Sequence, residues 1–320
     1  PLYDPKTSGI DQRYCTEFCR PDQLAQVRDT TDLAGYVTKQ AAMETGLLEG
    51  TPVIVGADDS AAEAISTGIL EPGDMMAQFG SSMYLIGLCD RLIHDTRIWS
   101  GGFIIPGVYS VQGGTNNAGT LTRWYRDRLF SDALEKETQT GVNAYQTMLD
   151  GIDDIPPGSD GLITLPYFAG ERTPVNDPQA KGVLFGLTLS HTRAHMYRSA
   201  LEAVGYSLAW HMDIFRQNDV KIKTVYAVGG GTKAPAWMQI ICDILGVELV
   251  TADVTVGASF GDAVMAAIGV GHFRAFSELR SYLKPGRRYV PDMARHAQYA
   301  PYCELFRELY ERNKDLMRRC

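Results

Sequence analysis

The sequence predicts an α/β fold, a mixed sheet flanked by helices, on three observations. Three strand-like runs follow one another, Met75–Gly80, Ser82–Cys89 and Val108–Gly114, with glycines and polar residues between them, as in consecutive antiparallel strands. From Thr192 onward, helical and strand patterns alternate. The last of these helical stretches, Gly257–Gly271, is rich in small residues and suits close packing on a sheet. Hairpin-linked strands followed by helix-linked strands give a sheet that is antiparallel on one side and parallel on the other.

Taken in order, Thr38–Gly50 reads as a short helix closed by a glycine. Val53–Gly56 reads as a buried strand, Ser60–Leu70 as a helix and Glu71–Asp74 as a turn. After the three strands, the apolar spacing of Asn116–Phe130 predicts an amphipathic helix. Residues 131–190 are broken by Pro156, Pro157, Pro166, Pro174 and Pro178 and read as an insertion. A long helix is expected from Thr192 to Asn218, a strand over Thr224–Gly231 that runs into glycines, and a helix over Ala234–Gly246. A strand over Val247–Ala252, the small-residue helix and a charged helix over His296–Arg318 complete the chain. This order matches the ribonuclease-H-like fold of actin-like ATPase domains.

A chain of 320 residues is long for one ordinary core, so two domains or one domain with a large insertion is expected. Hydrophobic residues make up 45% and charged residues 21%, which argues against disorder. The net charge of -8 disfavours nucleic acid or an anionic membrane as partner. No apolar stretch is long enough to span a bilayer and no secretory pattern opens the chain, so a cytoplasmic protein is expected. Cys15 and Cys19 lack the second pair or histidine that would complete a zinc set. The six histidines show no ligand spacing.

Three stretches could carry chemistry. In "VGGGTK" (Val228–Lys233) a strand ends in three glycines before a helix, a backbone able to approach a phosphate or nucleoside, or simply a tight turn. "FGSSM" (Phe79–Met83) could aim backbone N–H groups and hydroxyls at phosphate oxygens, or be an ordinary hairpin. "GADDS" (Gly56–Ser60) places two carboxylates between a strand and a helix. One could cap the helix and one could act at a strand end.

Together these stretches resemble the C-terminal portion of the FGGY carbohydrate kinases, with most likeness to xylulokinase-like members. The likeness rests on "TPVIVGADDSAA", "EPGDMMAQFGSSMYL", "GGTNNAGTLTRWYRD", "PYFAGERTPVNDPQAKGVLFGL", "AVGGGTKAPAWMQIICDILG" and "FGDAVMAAIGVG", in that order over most of residues 40–272. The resemblance implies ATP-dependent phosphorylation of a sugar hydroxyl, with ATP and Mg²⁺ as cofactors and a ketopentose such as xylulose as substrate. Asp59 falls on the general base; Asp58 stands where the family usually has glycine, free to press its charge on Asp59, face solvent or cap the helix. By the same resemblance Gly80, Ser81 and Ser82 form a phosphate-facing hairpin, Gly119 and Arg123 flank the nucleotide, and Gly230, Gly231, Thr232 and Lys233 face the adenosine. No protein metal ligand is implied. A homodimer is compatible with the family. "GERTP" is expected to be a structural loop with Arg172 paired to a carboxylate. The family's opening Asp-x-Gly-Thr motif is missing. Residues 1–72 are therefore expected to be the tail of a first domain, 73–290 the second, actin-like domain and 291–320 a closing helix. The chain would then be an incomplete kinase. The competing reading is a non-catalytic actin-like nucleotide-binding module.

Overall fold

A computed structural model describes residues 3–4, 7, 9–11, 13, 19–252 and 257–319. Cys15 of the Cys15–Cys19 pair lies outside them; Cys19, Cys89, Cys242 and Cys303 are free thiols.

The strands are β1 (Leu33–Tyr36), β2 (Pro52–Ile54), β3 (Asp74–Phe79), β4 (Met83–Cys89), β5 (Trp99–Gly102), β6 (Tyr109–Thr115), β7 (Ile163–Leu165), β8 (Val183–Phe185), β9 (Thr224–Val228), β10 (Glu248–Ala252) and β11 (Pro285–Tyr289). The helices are α1 (Lys39–Thr45), α2 (Asp59–Ser66), α3 (Gly119–Leu129), α4 (Ser131–Thr140), α5 (Ala144–Met148), α6 (Arg193–Gln217), α7 (Pro235–Leu245), α8 (Ala258–Gly269) and α9 (Met293–Met317).

Seven strands form the main sheet in the order β11-β10-β9-β3-β4-β6-β5. β3, β4 and β6 pair antiparallel, while β9 pairs parallel with both β3 and β10. This is the expected mixed sheet of the ribonuclease-H-like fold, extended by two edge strands. Alternation along β3 builds both faces. Met75, Ala77 and Phe79 join a core shared with α6, α7 and α9, whereas Met76 packs with Ala64 of α2, Ile86 and Val228 on the opposite face.

Several expected boundaries move. α1 stops at Gly46, which adopts the left-handed conformation (φ 77°), four residues before the expected glycine. β2 is not a buried strand; it pairs antiparallel with β1, and Val53 stays exposed. The stretch read as an insertion contains α4, α5 and the β7–β8 hairpin. β5 and β11 were not expected. Both are edge strands, and their glycine, proline and arginine content hides them.

α2 lies on β3 and runs against it. Leu70 N, beyond its C-terminus, donates to Asp74 Oδ2 (3.0 Å) at the start of β3, and Gln78 Nε2 near the end of β3 donates to Glu63 Oε2 (2.6 Å). The N-terminus of α2 therefore lies at the hairpin end of β3. α8 crosses α2 so closely that a Cβ at Gly261 would collide with the Ala62 carbonyl. Gly261→Val should cost roughly 1–3 kcal/mol by overpacking and lower Tm by several degrees. Thermal denaturation checks this; an unaltered Tm would mean the two helices do not meet there.

Candidate active site

Three turns converge where β3 and β9 end. The Gly80–Ser82 hairpin links β3 to β4, and the start of α3 is bonded to it. Gly119 N donates to Gly80 O (2.9 Å), and Ala118 N and Thr120 N donate to Ser81 O (3.1 and 3.0 Å). A Cβ at Gly119 would lie 2.5 Å from Gly80 O, so the glycine is required by this close approach. The turn after β9 sits on the same strand end. Gly229 has φ 93° and its Cβ position is 2.7 Å from Phe79 O; that of Gly231 is 2.8 Å from Phe79 Cβ and from the Trp237 ring. Gly230 differs, because the space beyond its Cα is open. Thr232 Oγ1 is spent on Gly229 O (2.8 Å). Lys233 and Arg123 are exposed, and neither makes an ion pair or hydrogen bond among the described residues. No side chain caps α7, which opens at Pro235 directly after this turn. Uncapped N–H groups at the start of α7, with Lys233 on the glycine turn before it and Arg123 one turn into α3, favour anions.

The two carboxylates at α2 are placed differently. Asp58 is the N-cap, its Oδ1 accepting from Ala61 N (3.0 Å). Asp59 is the first residue of the helix and is exposed; Ser60 Oγ donates to its Oδ1 (3.3 Å). One turn further on, burial raises the Glu63 pKa; the bond from Gln78 lowers it and the charge of Asp59 raises it. A cleft of about 270 Å³ opens beside this turn, lined by Asp58, Ser60, Tyr84, Phe103, Gln112 and Arg28, among others. Tyr84 OH donates to Gln112 Oε1 (2.5 Å), and Gln112 Nε2 donates to Ser110 Oγ (2.9 Å). Burial pushes the Tyr84 phenol up to about 12, with the charge of Asp58 adding to the shift, so the phenol is a donor at neutral pH.

The Glu171–Arg172–Thr173 segment fastens the same end of the sheet. Glu171 is buried and accepts from Thr115 Oγ1 (2.5 Å), Asn116 N (3.0 Å) and Arg172 N (2.7 Å). Burial nevertheless raises its pKa to about 7. Contrary to expectation, Arg172 pairs with no carboxylate among the described residues; its guanidinium donates to the carbonyls of Thr115 (3.2 Å) and Met83 (3.5 Å), the latter just after the hairpin. Thr173 Oγ1 accepts from Gly114 N (2.8 Å) and meets His211 Nε2 (3.0 Å). His211 is fully buried, which lowers its pKa to about 4.

Comparison with known proteins places the chain in a family. The C-terminal domain of the FGGY family of carbohydrate kinases matches residues 81–270. The chain belongs to the FGGY family. It is 29% identical over 292 residues to the xylulose kinase of Bacillus subtilis, an overlap of 90% of this chain and 56% of that protein. It is 28% identical over 273 residues to the gluconokinase of the same organism, covering 85% and 53%. The crystal structure of xylulose kinase from Rhodospirillum rubrum superposes with a TM-score of 0.89 at 29% identity, over 99% of this chain and 63% of that one. The chain thus spans about half the length of the curated relatives it matches.

Gly80, Ser81, Ser82, Gly119, Gly230, Gly231, Thr232 and Lys233 lie on the three converging turns, and Arg123 lies one turn into α3. Asp59 stands at the adjoining end of α2. Sequence reading missed Tyr84, Gln112 and Glu171. A glutamine inside the apolar run "VYSVQGG" was a signal for the second. For Glu171 there was none, because two of its three partners, Asn116 N and Thr115 Oγ1, lie 55 and 56 residues away.

Proposed function

We propose that this chain carries the phosphoryl-transfer face of an ATP-dependent sugar kinase acting on a ketopentose such as xylulose. The observation that carries the reading is the position of Asp59: exposed on the first turn of α2, between two residues that line a sugar-sized cleft, Asp58 and Ser60, at the end of the sheet where Lys233 and Arg123 have no partner among the described residues. In this reading Asp59 takes the proton of the attacking hydroxyl. Its oxygen bonds to the γ-phosphorus as the bond to the ADP oxygen breaks. The Gly80–Ser82 hairpin, Arg123 and Lys233 face the nucleotide. Among the described residues no group of three or more His, Cys, Asp or Glu side chains forms a metal site. Mg²⁺ would arrive on the phosphates, the common mode for this ion, and no step above is routed through it.

We infer further that residues 1–72 close a first lobe and 73–290 form the second, with the cleft between lobes. Two facts support this: Tyr36, Met43, Leu48 and Val53 are exposed on α1, β1 and β2 and their connections, and the relatives are about twice as long. No helix among the described residues is long and apolar enough to cross a membrane.

The test is ADP release from Mg-ATP by the full-length protein with neutral sugars and sugar acids. Lys233→Ala should raise the KM for ATP roughly tenfold, the loss of one charge-assisted contact, and leave the sugar KM in place. An unchanged KM for ATP would remove the Gly230–Lys233 turn from the nucleotide site. Saturable nucleotide binding with no sugar turned over would favour the non-catalytic module.

A further inference from the structure

We propose that Asp58 is a specificity-determining residue: its carboxylate, on the wall of the cleft beside Asp59, selects neutral sugars and rejects sugars that bear a carboxylate. This rests on the kinase reading above and sharpens its substrate class. The relatives do not decide the point, since a xylulose kinase and a gluconokinase match at 29% and 28% identity.

Capping alone does not call for a charge at this position. The cap uses one neutral acceptor, Oδ1 to Ala61 N, and serine or asparagine caps a helix about as well as aspartate. The proposed base is the next residue, so proton abstraction does not need Asp58 either. What the charge adds is a field in the cleft. Asp58 lines it together with Tyr84 and Gln112, whose mutual hydrogen bond forms a neutral polar wall suited to hydroxyls. The cation lining the cleft is Arg28, an exposed side chain whose guanidinium holds Gln26 Oε1 (3.1 and 3.3 Å). A sugar acid would meet Asp58 on the wall, with Asp59 as its chain neighbour, against the exposed Arg28; Arg172, whose charge also reaches Tyr84, is held on the Thr115 and Met83 carbonyls. Like charges near contact distance at a half-wet surface repel by roughly tenfold to several hundred-fold in binding. A neutral ketose feels none of this. Discrimination by a repulsive group is the economical way to separate two substrates that share most of their hydroxyls.

The experiment compares kcat/KM for D-xylulose and D-gluconate, with Mg-ATP, in the full-length protein and in Asp58→Asn and Asp58→Ser, both of which keep a cap. The unaltered protein should prefer xylulose, and both variants should raise the gluconate-to-xylulose ratio about tenfold or more. A ratio that moves less than twofold in both variants overturns the proposal, as does an unaltered protein that prefers gluconate. Turnover of neither sugar by any of the three proteins overturns the kinase reading and this proposal with it.

Discussion

Replacing Asp59 by asparagine is expected to lower kcat of the full-length kinase by roughly 10²–10⁴-fold, the contribution of a positioned general base. Asparagine keeps the size of the side chain and loses the proton acceptor. Folding should be little affected, because Asp59 is exposed and its one side-chain contact is Ser60 Oγ at 3.3 Å; surface changes of this kind usually stay within about 0.5 kcal/mol. The KM for ATP should change little, since the residues proposed to face the nucleotide are on the turns after β3 and β9 and on α3. The opposite pattern belongs to its neighbour. Asp58→Ala removes the cap of α2 and should cost about 1 kcal/mol of stability. Steady-state kinetics together with Tm measurements separate the two carboxylates. Near-normal turnover in Asp59→Asn would remove Asp59 from the mechanism.

That adjacent pair shows where sequence reading stops. "GADDS" announces a helix start and a charge, but N-cap and first helical residue are neighbours, and only the bond from Ala61 N shows which aspartate caps the helix. The sheet was more legible. The apolar runs of β3, β4 and β6 and the strand–helix alternation after Thr192 predict its mixed order, and β5 and β11 escape because "WSGG" and "PGRRY" carry little strand character. β2 was misread as buried because "PVIV" has the composition of an interior strand, yet its one partner among the described residues is β1. The glycines were legible as glycines, but with reasons mixed in kind. Gly119, Gly229 and Gly231 are demanded by close approach to Gly80 and Phe79, whereas Gly230 faces open space.

Glu171 leads to the second large effect, a pH-dependent stability that glutamine should abolish. Its carboxyl accepts three hydrogen bonds, each of which favours the charged form, yet burial outweighs them and raises its pKa from 4.5 to about 7. Between those two values the folded protein holds a proton that the unfolded chain has lost. The protonated carboxyl therefore contributes stability that is fully present below about pH 4.5 and is lost as pH rises through 7. A shift of this size corresponds to about 3 kcal/mol, or several degrees in Tm. Glu171→Gln reproduces the neutral group: its carbonyl can accept from Asn116 N and Arg172 N, and its amide can donate to Thr115 Oγ1. The variant should match the unaltered protein near pH 5 and exceed it near pH 8. The consequence reaches the candidate site, because Arg172, whose N–H is held by Glu171, donates to Met83 O directly after the Gly80–Ser82 hairpin. Tm measured against pH for both proteins decides it. Parallel curves would mean that Glu171 has the same charge folded and unfolded, and that its three donors, not burial, set its ionisation.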